Sequence, residues 1–311
     1  SIDAFNQEFG NQFLDSGESA VDDAIFEKLK QECTNPEFVF DEGSYLLWEE
    51  PDPERVYVVG VDIAEGVGEN ASVAQIFDVT DLTNITQVAT YWNNKISPYN
   101  FTTKLYEILE HWGSPLVAIE RNNCGAQVVD NLYNNFNYTN MVNFSPQKSK
   151  STSYSNRLGV VAHTNTKYKG VMNMRYWVNE VKSIKIRDIK TVNELKDFVR
   201  YPNGTWAAKK INGCLDDRVM SLIWCLIFLE DSVTERYFEV VEYDDNNKPL
   251  KILPLDYGIP KEMISPVALY NNEKTGTNNV SPIIFTEFTD EGQNDGVTDL
   301  ESQGWQIHKG L

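Results

Sequence analysis

Histidine and cysteine are scarce in this chain of 311 residues, and their scarcity excludes several kinds of site. The three histidines, His111, His163 and His308, are too few and too scattered to form a histidine-based metal cluster. The four cysteines show no Cys-x-x-Cys spacing, so neither a zinc knuckle nor a disulfide framework is supported. This cysteine usage indicates a reducing, cytosolic compartment.

Long apolar runs are absent as well. No run reaches the ~18 residues that a membrane-spanning helix requires. The first ten residues, SIDAFNQEFG, do not show the basic and then apolar pattern of a signal peptide. There is no Gly-x-x-x-x-Gly-Lys-Ser/Thr run, so a self-contained P-loop ATPase is not expected. With 41% hydrophobic residues the chain can form one large core or two smaller ones, and we expect a globular protein without a membrane partner.

Basic residues are outnumbered overall but are concentrated in one stretch. The formal net charge is −19, which at first argues against a nucleic-acid partner. Residues 145–210 nevertheless hold 14 basic and 4 acidic residues, whereas residues 1–55 hold 3 basic and 15 acidic ones. Because charge on one face matters more to a polyanion than the total, we expect this stretch to contact double-stranded DNA. A solvated basic helix face is the alternative. The candidate DNA-binding residues are Lys148, Lys150, Arg157, Lys167, Lys169, Lys209 and Lys210.

The middle of the chain alternates short apolar runs with amphipathic segments. Three strand-like runs over 56–62, 72–79 and 85–92 are separated by short turns, which predicts an antiparallel meander. The order strand–strand–strand–helix–strand–helix–strand predicts an α/β, ribonuclease-H-like fold with a mixed central sheet flanked by helices. The remaining predicted elements are helices over 100–112, 126–136, 166–181 and 215–229, strands over 115–120 and 141–144, and a hairpin over 198–209.

Both ends of the chain differ in character from this middle. The segment 19–33 predicts a short helix, and the Pro- and acid-rich segment 35–55 predicts a linker with an apolar insert, YLLW, at 45–48. The C-terminal residues are rich in Asn, Asp, Pro and Gly and predict a small, irregular acidic appendage. We therefore expect an N-terminal helical segment and linker over 1–55, a ribonuclease-H-like domain over 56–232 and the appendage over 233–311.

Acidic residues stand at the ends of apolar segments, where an unpaired charge is costly to bury. Asp62 ends VYVVGVD, Glu120 ends PLVAIE, and Asp216 and Asp217 open LDDRVMSLIWCLIFL. Their convergence would create an all-oxygen site that suits Mg²⁺ or Mn²⁺. Each acid has an ordinary alternative role: an Asx-turn for Asp62, a surface charge for Glu120, and helix capping for the Asp pair. Asp216 is favoured as the ligand, but successive helical positions diverge by ~100° and the sequence leaves the choice open.

Polar neighbours of these acids are candidates for supporting roles. Glu65 lies in the Gly-rich turn after Asp62, and Asn122 and Gln127 follow Glu120. They either orient the carboxylates and meet DNA or serve as turn and cap residues. Lys169 either contacts the DNA backbone or is an ordinary exposed lysine.

A family resemblance is carried by VVGVDIAEGVGENASVAQIFD, LVAIERNNCGAQVVDNL, the helix start at Lys167–Lys169 and GCLDDRVMSLIW. In these segments the chain resembles the C-terminal nuclease half of the large terminase subunit of tailed phages, and most closely that of T-even-like phages. The strong motifs lie within residues 56–230, and FNQEFGNQFLDSGES resembles the stretch that closes the family's ATPase half. Asn70 stands where many relatives carry an aspartate.

The resemblance implies a Mg²⁺-dependent endonuclease that cuts concatemeric viral DNA during capsid packaging in the host cytoplasm. Two Mg²⁺ ions (or Mn²⁺) ~3.5–4 Å apart would be held by Asp62, Glu120 and Asp216 or Asp217. The portal or capsid vertex, the small terminase subunit and a translocating ATPase domain are the implied partners. Weak sequence selectivity is expected, because phosphate contacts carry little base readout.

Two other interpretations remain open. A junction-resolving nuclease or a ribonuclease H of the same fold would apply the same carboxylates to another substrate. A non-catalytic motor module would use its acidic flanks to dock on portal or capsid protein. Cutting of linear duplex DNA in Mg²⁺ but not in EDTA separates these alternatives.

Overall fold

A computed structural model describes residues 18–144, 158–211, 213–229, 237–246, 248–254, 284–285 and 305–306. The helices are α1 (Asp23–Glu32), α2 (Pro98–His111), α3 (Gly125–Asn135), α4 (Thr164–Arg175), α5 (Ile189–Asp197) and α6 (Asp217–Cys225). The strands up to the second helix are β1 (Glu18–Ser19), β2 (Phe38–Phe40), β3 (Tyr45–Leu47), β4 (Tyr57–Asp62), β5 (Ser72–Asp78) and β6 (Ile85–Asn93). The later strands are β7 (Leu116–Ile119), β8 (Asn143–Phe144), β9 (Gly159–Val160), β10 (Ile184–Lys185), β11 (Phe198–Arg200), β12 (Trp206–Ala208), β13 (Phe238–Tyr243), β14 (Pro249–Pro254), β15 (Ile284–Phe285) and β16 (Trp305–Gln306). Within these ranges no helix has both the length and the apolar character needed to cross a membrane.

A mixed sheet forms the centre of the described structure, with strands adjacent in the order β2-β3-β6-β5-β4-β7. β4, β5 and β6 form the predicted antiparallel meander, in which Val59 is opposite Ile76 and Ile76 is opposite Ala89. β7 lies parallel to β4, and the chain makes the necessary crossover through α2. The predicted order of strands and helices from β4 to β8 is confirmed, and the chain is a mixed α/β protein.

The segment 35–55, predicted as a linker with an apolar insert, contributes two strands to this sheet, and the second of them lies within that insert. β2 pairs antiparallel with β3, and β3 pairs antiparallel with β6, where Leu46 is opposite Thr90. Tyr45 and Leu47 are buried, while the prolines of the segment lie outside both strands. The two apolar runs are only three residues long, and the proline and acidic residues around them obscure the strand pattern.

Helices contribute to two hydrophobic cores that share the central strands. One core joins α2 and α3, through Leu105 and Val128, to Val59 of β4. The other joins α4, α5 and α6 to Val58 of β4 and Phe77 of β5. Successive residues of β4 enter different cores because strand side chains alternate between the two faces of a sheet.

α6 lies directly against β4, and Gly60 makes this close approach possible. A Cβ atom at position 60 would lie 2.1 Å from the backbone oxygen of Ser221 and 2.3 Å from the backbone nitrogen of Cys225. The Ser221 hydroxyl donates a hydrogen bond to the Gly60 carbonyl over 2.8 Å. These contacts fix α6 along the strand that ends at Asp62.

Smaller elements complete the described structure. β11 and β12 form the predicted hairpin, and β1 adds a third strand to it. β13 and β14 form a hairpin inside the predicted C-terminal appendage, and Phe238 and Ile252 of this hairpin belong to the core beside α6. This part of residues 233–311 is therefore packed rather than irregular. α5 was not predicted, although Ile189, Val192 and Leu195 recur at every third position behind the N-cap Asp188.

Candidate metal centre

Asp62 and Glu120 are brought together by the parallel pairing of the strands that carry them. Val61 is the register partner of Ile119, so the residues that follow lie at the same end of two adjacent strands. The Glu120 N–H donates to the Val61 carbonyl over 3.1 Å, which continues the ladder up to the acidic pair.

The chain turns sharply after Glu120, and this turn is tied to the start of α4. Gly125 is required there, because a Cβ atom at this position would lie 1.9 Å from the Glu120 carbonyl oxygen. The Asn122 side chain donates to the Ala162 carbonyl over 2.9 Å and accepts from the Ala162 N–H over 3.1 Å. Asn122 therefore joins the end of β7 to the start of α4, which carries Lys167.

Asp216 and Asp217 open α6 without serving as its side-chain cap. Asp216 occupies the N-cap position, but its side chain makes no capping hydrogen bond. The first-turn N–H of Arg218 is instead satisfied by Glu194 Oε2 of α5, at 2.8 Å. Local capping, the ordinary explanation for acids at a helix start, therefore does not account for this pair.

A cavity of about 500 Å³ lies at this end of the sheet, and all four carboxylate residues line it. Burial raises the pKa of Asp62 well above its usual value, and the carboxylates of Glu120, Asp217 and Asp216 raise it further. Asp62 is thus within electrostatic reach of the other three acids. A concave site lined by several carboxylates attracts cations.

Burial and neighbouring groups also shift the pKa values of Glu120 and Asp217. Burial raises the pKa of Glu120 and Asp216 adds to this effect, while the hydrogen bond from Trp224 and the charge of Lys167 oppose it. Burial raises the pKa of Asp217 to about 6, and the N–H of Ala71 opposes it. Asp216 acts on both, so the sequence-favoured Asp216 and its neighbour both belong to the acidic cluster.

Two hydrogen bonds orient the buried carboxylates. The Ala71 N–H donates to Asp217 Oδ2 over 2.9 Å, and Trp224 Nε1 donates to Glu120 Oε2 over 2.8 Å. Trp224 is fully buried and was missed among the candidates from the sequence. Its spacing of seven residues from Asp217 on a helix places both on one face, which is the signal that could have identified it.

The chemistry of the donor set fits a hard divalent cation. The four side chains offer carboxylate oxygens only, and oxygen ligands suit Mg²⁺ and Mn²⁺. In the part of the chain that the structure describes, however, no three His, Cys, Asp or Glu side chains form a group that could hold a metal ion as they stand. The carboxylates share a cavity, and side-chain rotation is required before three of them meet at one ion.

The predicted supporting residues differ in their positions. Glu65 is exposed and lines the cavity, as does Asn70. Gln127 is exposed on α3 and is not among the described residues that line the cavity. Cys124 lines the cavity with its Sγ 3.5 Å from the Ile63 carbonyl oxygen, and burial raises the pKa of its thiol.

Among the predicted DNA-binding residues that the structure describes, Lys167 lines the cavity. Its Nζ is 3.9 Å from Asp216 Oδ2 and 5.7 Å from the centre of the Phe198 ring. Lys169 is exposed on the same helix. Lys167 thus places one positive charge beside the four carboxylates.

The other predicted DNA-binding residues lie elsewhere or outside the described residues. Lys209 pairs with Asp197 at 3.0 Å, and Lys210 lies 5.3 Å from the centre of the Tyr201 ring. Lys148, Lys150 and Arg157 fall in the range 145–157, outside the described residues.

Acids from the N-terminal segment neutralise part of the basic stretch 145–210. The ion pairs are Arg175 and Arg200 with Glu18, Lys196 with Asp23, and Arg187 with Glu49. The excess of positive charge on the folded surface is therefore smaller than the sequence count indicates.

No family model matches this chain. The chain is similar to the large terminase nuclease from thermophilic phage G20c with bound magnesium, at 18% sequence identity and a TM-score of 0.47, over 65% of this chain and 95% of that one. It is similar to the large terminase nuclease domain of Thermus phage P74-26 at the same identity and TM-score, over 66% of this chain and 94% of that one.

Proposed function

We propose that this chain is a metal-dependent endonuclease that hydrolyses phosphodiester bonds in double-stranded DNA. The observation that carries the proposal is the convergence of Asp62, Glu120, Asp216 and Asp217 on one cavity. These residues come from two strand ends and one helix start that are distant in sequence. The raised pKa of Asp62, caused by burial and by the other three acids, is the electrostatic cost of grouping them without a cation.

Asp62, Glu120 and one or both of Asp216 and Asp217 would hold the cations, and Mg²⁺ is the proposed species. When bound, such ions supply an activated water and stabilise the leaving oxygen of the scissile phosphate. The hydrogen bonds from Ala71 and Trp224 would hold two of the ligand carboxylates in place. Ordering of ligands by surrounding donors is a general feature of metal sites.

Lys167 and Lys169 would contact the DNA backbone. Lys167 lines the cavity, where it offsets the acidic charge that would otherwise repel a phosphate. Such contacts position a duplex without reading its bases, so cutting of many sequences is proposed.

We further propose that the chain acts in viral genome packaging, as the nuclease part of a large terminase subunit in the host cytoplasm. The sequence motifs around Asp62, Glu120 and Asp216 support this proposal, as does a strand order typical of ribonuclease-H-like nucleases. The proposed partners are an ATPase domain, the small terminase subunit and the portal or capsid vertex.

The test is digestion of supercoiled plasmid and linear duplex in Mg²⁺, in Mn²⁺ and in EDTA. We expect cutting with either metal and none in EDTA. Asp62→Asn is expected to remove cutting, while its melting temperature in EDTA stays equal to or above that of the wild type, because one of four mutually repelling carboxylates is removed. Asp81→Asn is the matched control, because Asp81 lies beyond the opposite end of β5 and accepts a hydrogen bond from Thr83.

Different outcomes separate the rival functions. Cutting in EDTA, or full activity of Asp62→Asn, contradicts the proposal. Preference for four-way junctions or RNA–DNA hybrids over linear duplex identifies a resolvase or a ribonuclease H. Metal binding without cutting of any substrate favours a non-catalytic docking module.

A further inference from the structure

A network of buried charges lies behind the cavity and takes no direct part in the proposed chemistry. Arg218 follows Asp217 in α6, and its side chain is 6% exposed. Its Nε donates to Asp188 Oδ2 over 3.1 Å, and its Nη1 donates to Glu194 Oε1 over 3.0 Å. Neither Arg218 nor these two carboxylates line the cavity.

The network extends from the start of α6 into the sheet. Gln75 of β5 donates to the Arg218 carbonyl over 2.6 Å, and Gln87 of β6 donates to Gln75 Oε1 over 2.8 Å. Gln87 Oε1 in turn accepts the N–H groups of Arg187 and Asp188, which precede α5. The backbone of Arg218 is therefore tied to two strands and to the start of a second helix.

Overall stability is a poor explanation for this network. Burying an ion pair costs desolvation that the pairing often fails to recover, and apolar residues of similar volume are frequently as stable. The network can instead serve to fix the orientation of the first turn of α6. Because successive helical residues diverge by ~100°, holding the Arg218 side chain on one side of α6 also fixes the directions of Asp217 and Asp216.

Glu194 has the most direct position for such a role. One of its carboxylate oxygens accepts the Arg218 N–H over 2.8 Å, and the other accepts from the Arg218 guanidinium. It thereby replaces a local cap at the first turn of α6. The Asp216 side chain, which would otherwise be available as that cap, makes no capping hydrogen bond.

We propose that Glu194, through Arg218, positions the start of α6 so that Asp216 and Asp217 face the cavity, and so sets the affinity of the cavity for divalent cations. Asp188 assists by holding the other edge of the guanidinium. Glu194 is a positioning residue, since it acts through Arg218 and does not line the cavity. The inference rests on the proposed function for the identity of the metal-binding residues.

The test compares Glu194→Gln with Glu107→Gln. Glu107 is a matched control because its side chain is 10% exposed, close to the 12% of Glu194, it has an ion-pair partner, Lys104 at 3.0 Å, and it does not line the cavity. Mn²⁺ binding is measured by electron paramagnetic resonance titration, and melting temperature is measured with and without Mn²⁺. We expect Glu194→Gln to weaken Mn²⁺ binding by roughly 10–100-fold, the range typical of residues that orient metal ligands. Glu107→Gln should leave Mn²⁺ binding unchanged.

A folded Glu194→Gln variant that binds Mn²⁺ as tightly as the wild type overturns the proposal. Equal weakening in Glu107→Gln also overturns it, because the effect would then be a general loss of stability. If Glu194→Gln does not fold, Arg218→Lys takes its place, since it keeps the charge but loses the guanidinium fork. Wild-type Mn²⁺ affinity in Arg218→Lys would also overturn the proposal.

The wild-type protein separates failure of this inference from failure of the proposed function. If it binds Mn²⁺ but cuts no DNA, the proposed function fails while the positioning role is still decided by the affinity of Glu194→Gln. If it binds no Mn²⁺ at all, both fail. If it binds Mn²⁺ and cuts DNA while Glu194→Gln keeps full affinity, only the positioning role fails.

Discussion

At the scale of single residues, the sequence predicts the acids of the candidate centre but not the residues that hydrogen-bond to them or position them. Asp62, Glu120, Asp216 and Asp217 are recognisable because a charge at the end of an apolar run requires an explanation. Trp224 and Glu194 act across the fold, over 104 and 24 positions in sequence. The spacing of Trp224 from Asp217 places the two residues on one helix face but does not indicate that Glu120 is the partner of Trp224. No local pattern marks Glu194, so both contacts emerge only once the elements are assembled.

Trp224→Phe tests the support of Glu120. Phenylalanine keeps most of the aromatic volume and removes the N–H that donates to Glu120 Oε2 over 2.8 Å. We expect the Mg²⁺ concentration needed for half-maximal cutting to rise by roughly 10–100-fold, as for other residues that orient ligands. Trp48→Phe is the control, because Trp48 is also buried and donates its indole N–H, in this case to the Thr34 carbonyl. An unchanged Mg²⁺ requirement in Trp224→Phe would show that Glu120 needs no such support.

At the scale of elements, the predictions succeeded where composition is strongly biased. β4, β5, β6 and β7 are runs of apolar and β-branched residues, and their burial leaves little choice of structure. β2 and β3 were not predicted as strands, because they are three-residue strands among acids and prolines. α5 was not predicted either, although its three apolar residues recur at helical spacing within nine residues. Their structure is determined by the sheet and core that they join.

The packing of α6 on β4 gives a prediction for Gly60. In Gly60→Ala the new methyl group would lie 2.1 Å from the backbone oxygen of Ser221, and the backbone of a helix cannot yield easily. We expect a loss of about 3 kcal/mol or more in the free energy of unfolding, measured by urea denaturation. Gly213→Ala is the control: Gly213 has a φ of +89° and no atom within 4 Å of the new Cβ, so only a backbone penalty of about 1–2 kcal/mol is expected. Equal losses in both variants would contradict the close approach of α6 to β4.

The end of α2 gives a prediction for pH. Burial lowers the pKa of His111 to about 4, although Glu50 Oε2 lies 3.9 Å from its Nε2. Between pH 6.5 and 4 the unfolded chain therefore binds a proton that the folded chain does not. The stability associated with neutral His111 is fully present above pH 6.5 and is lost as the pH falls towards 4, by about 2 kcal/mol at pH 5.

His111→Gln removes this proton-linked loss. We expect the free energy of unfolding of the wild type to fall by about 2 kcal/mol more than that of His111→Gln between pH 8 and pH 5. His163→Gln is measured beside them, as a control for the loss of an exposed histidine outside α2. The same pH dependence in all three proteins would refute the assignment to His111.

At the scale of the whole molecule, acidic and basic residues are concentrated in different segments of the chain that contact each other in the fold. The acidic residues of the N-terminal segment pair with several bases of the 145–210 stretch, so the basic surface cannot be judged from composition alone. Among the described lysines and arginines, Lys167 lines the cavity, and Lys169 is exposed two residues further along the same helix. The DNA contact is proposed to be centred there.

Binding of uncut duplex in Ca²⁺ tests this proposal. Replacing Lys167 and Lys169 by glutamine should weaken binding to all sequences alike and lower the slope of log affinity against log salt by about 0.9 for each phosphate that is no longer neutralised. The control replaces Lys182 and Lys190, two exposed lysines of the same stretch that do not line the cavity. If both pairs lower the slope equally, the DNA-binding surface is spread over the basic stretch. If neither does, the DNA lies elsewhere.

The central claim is that four carboxylates from β4, β7 and α6 form one metal centre. Its most direct test is anomalous diffraction from crystals of the wild-type protein soaked in Mn²⁺. We expect anomalous density inside the cavity, within coordination distance of Asp62, Glu120 and at least one of Asp216 and Asp217. Density confined to other sites, in a protein that cuts DNA with Mn²⁺ in solution, would contradict it.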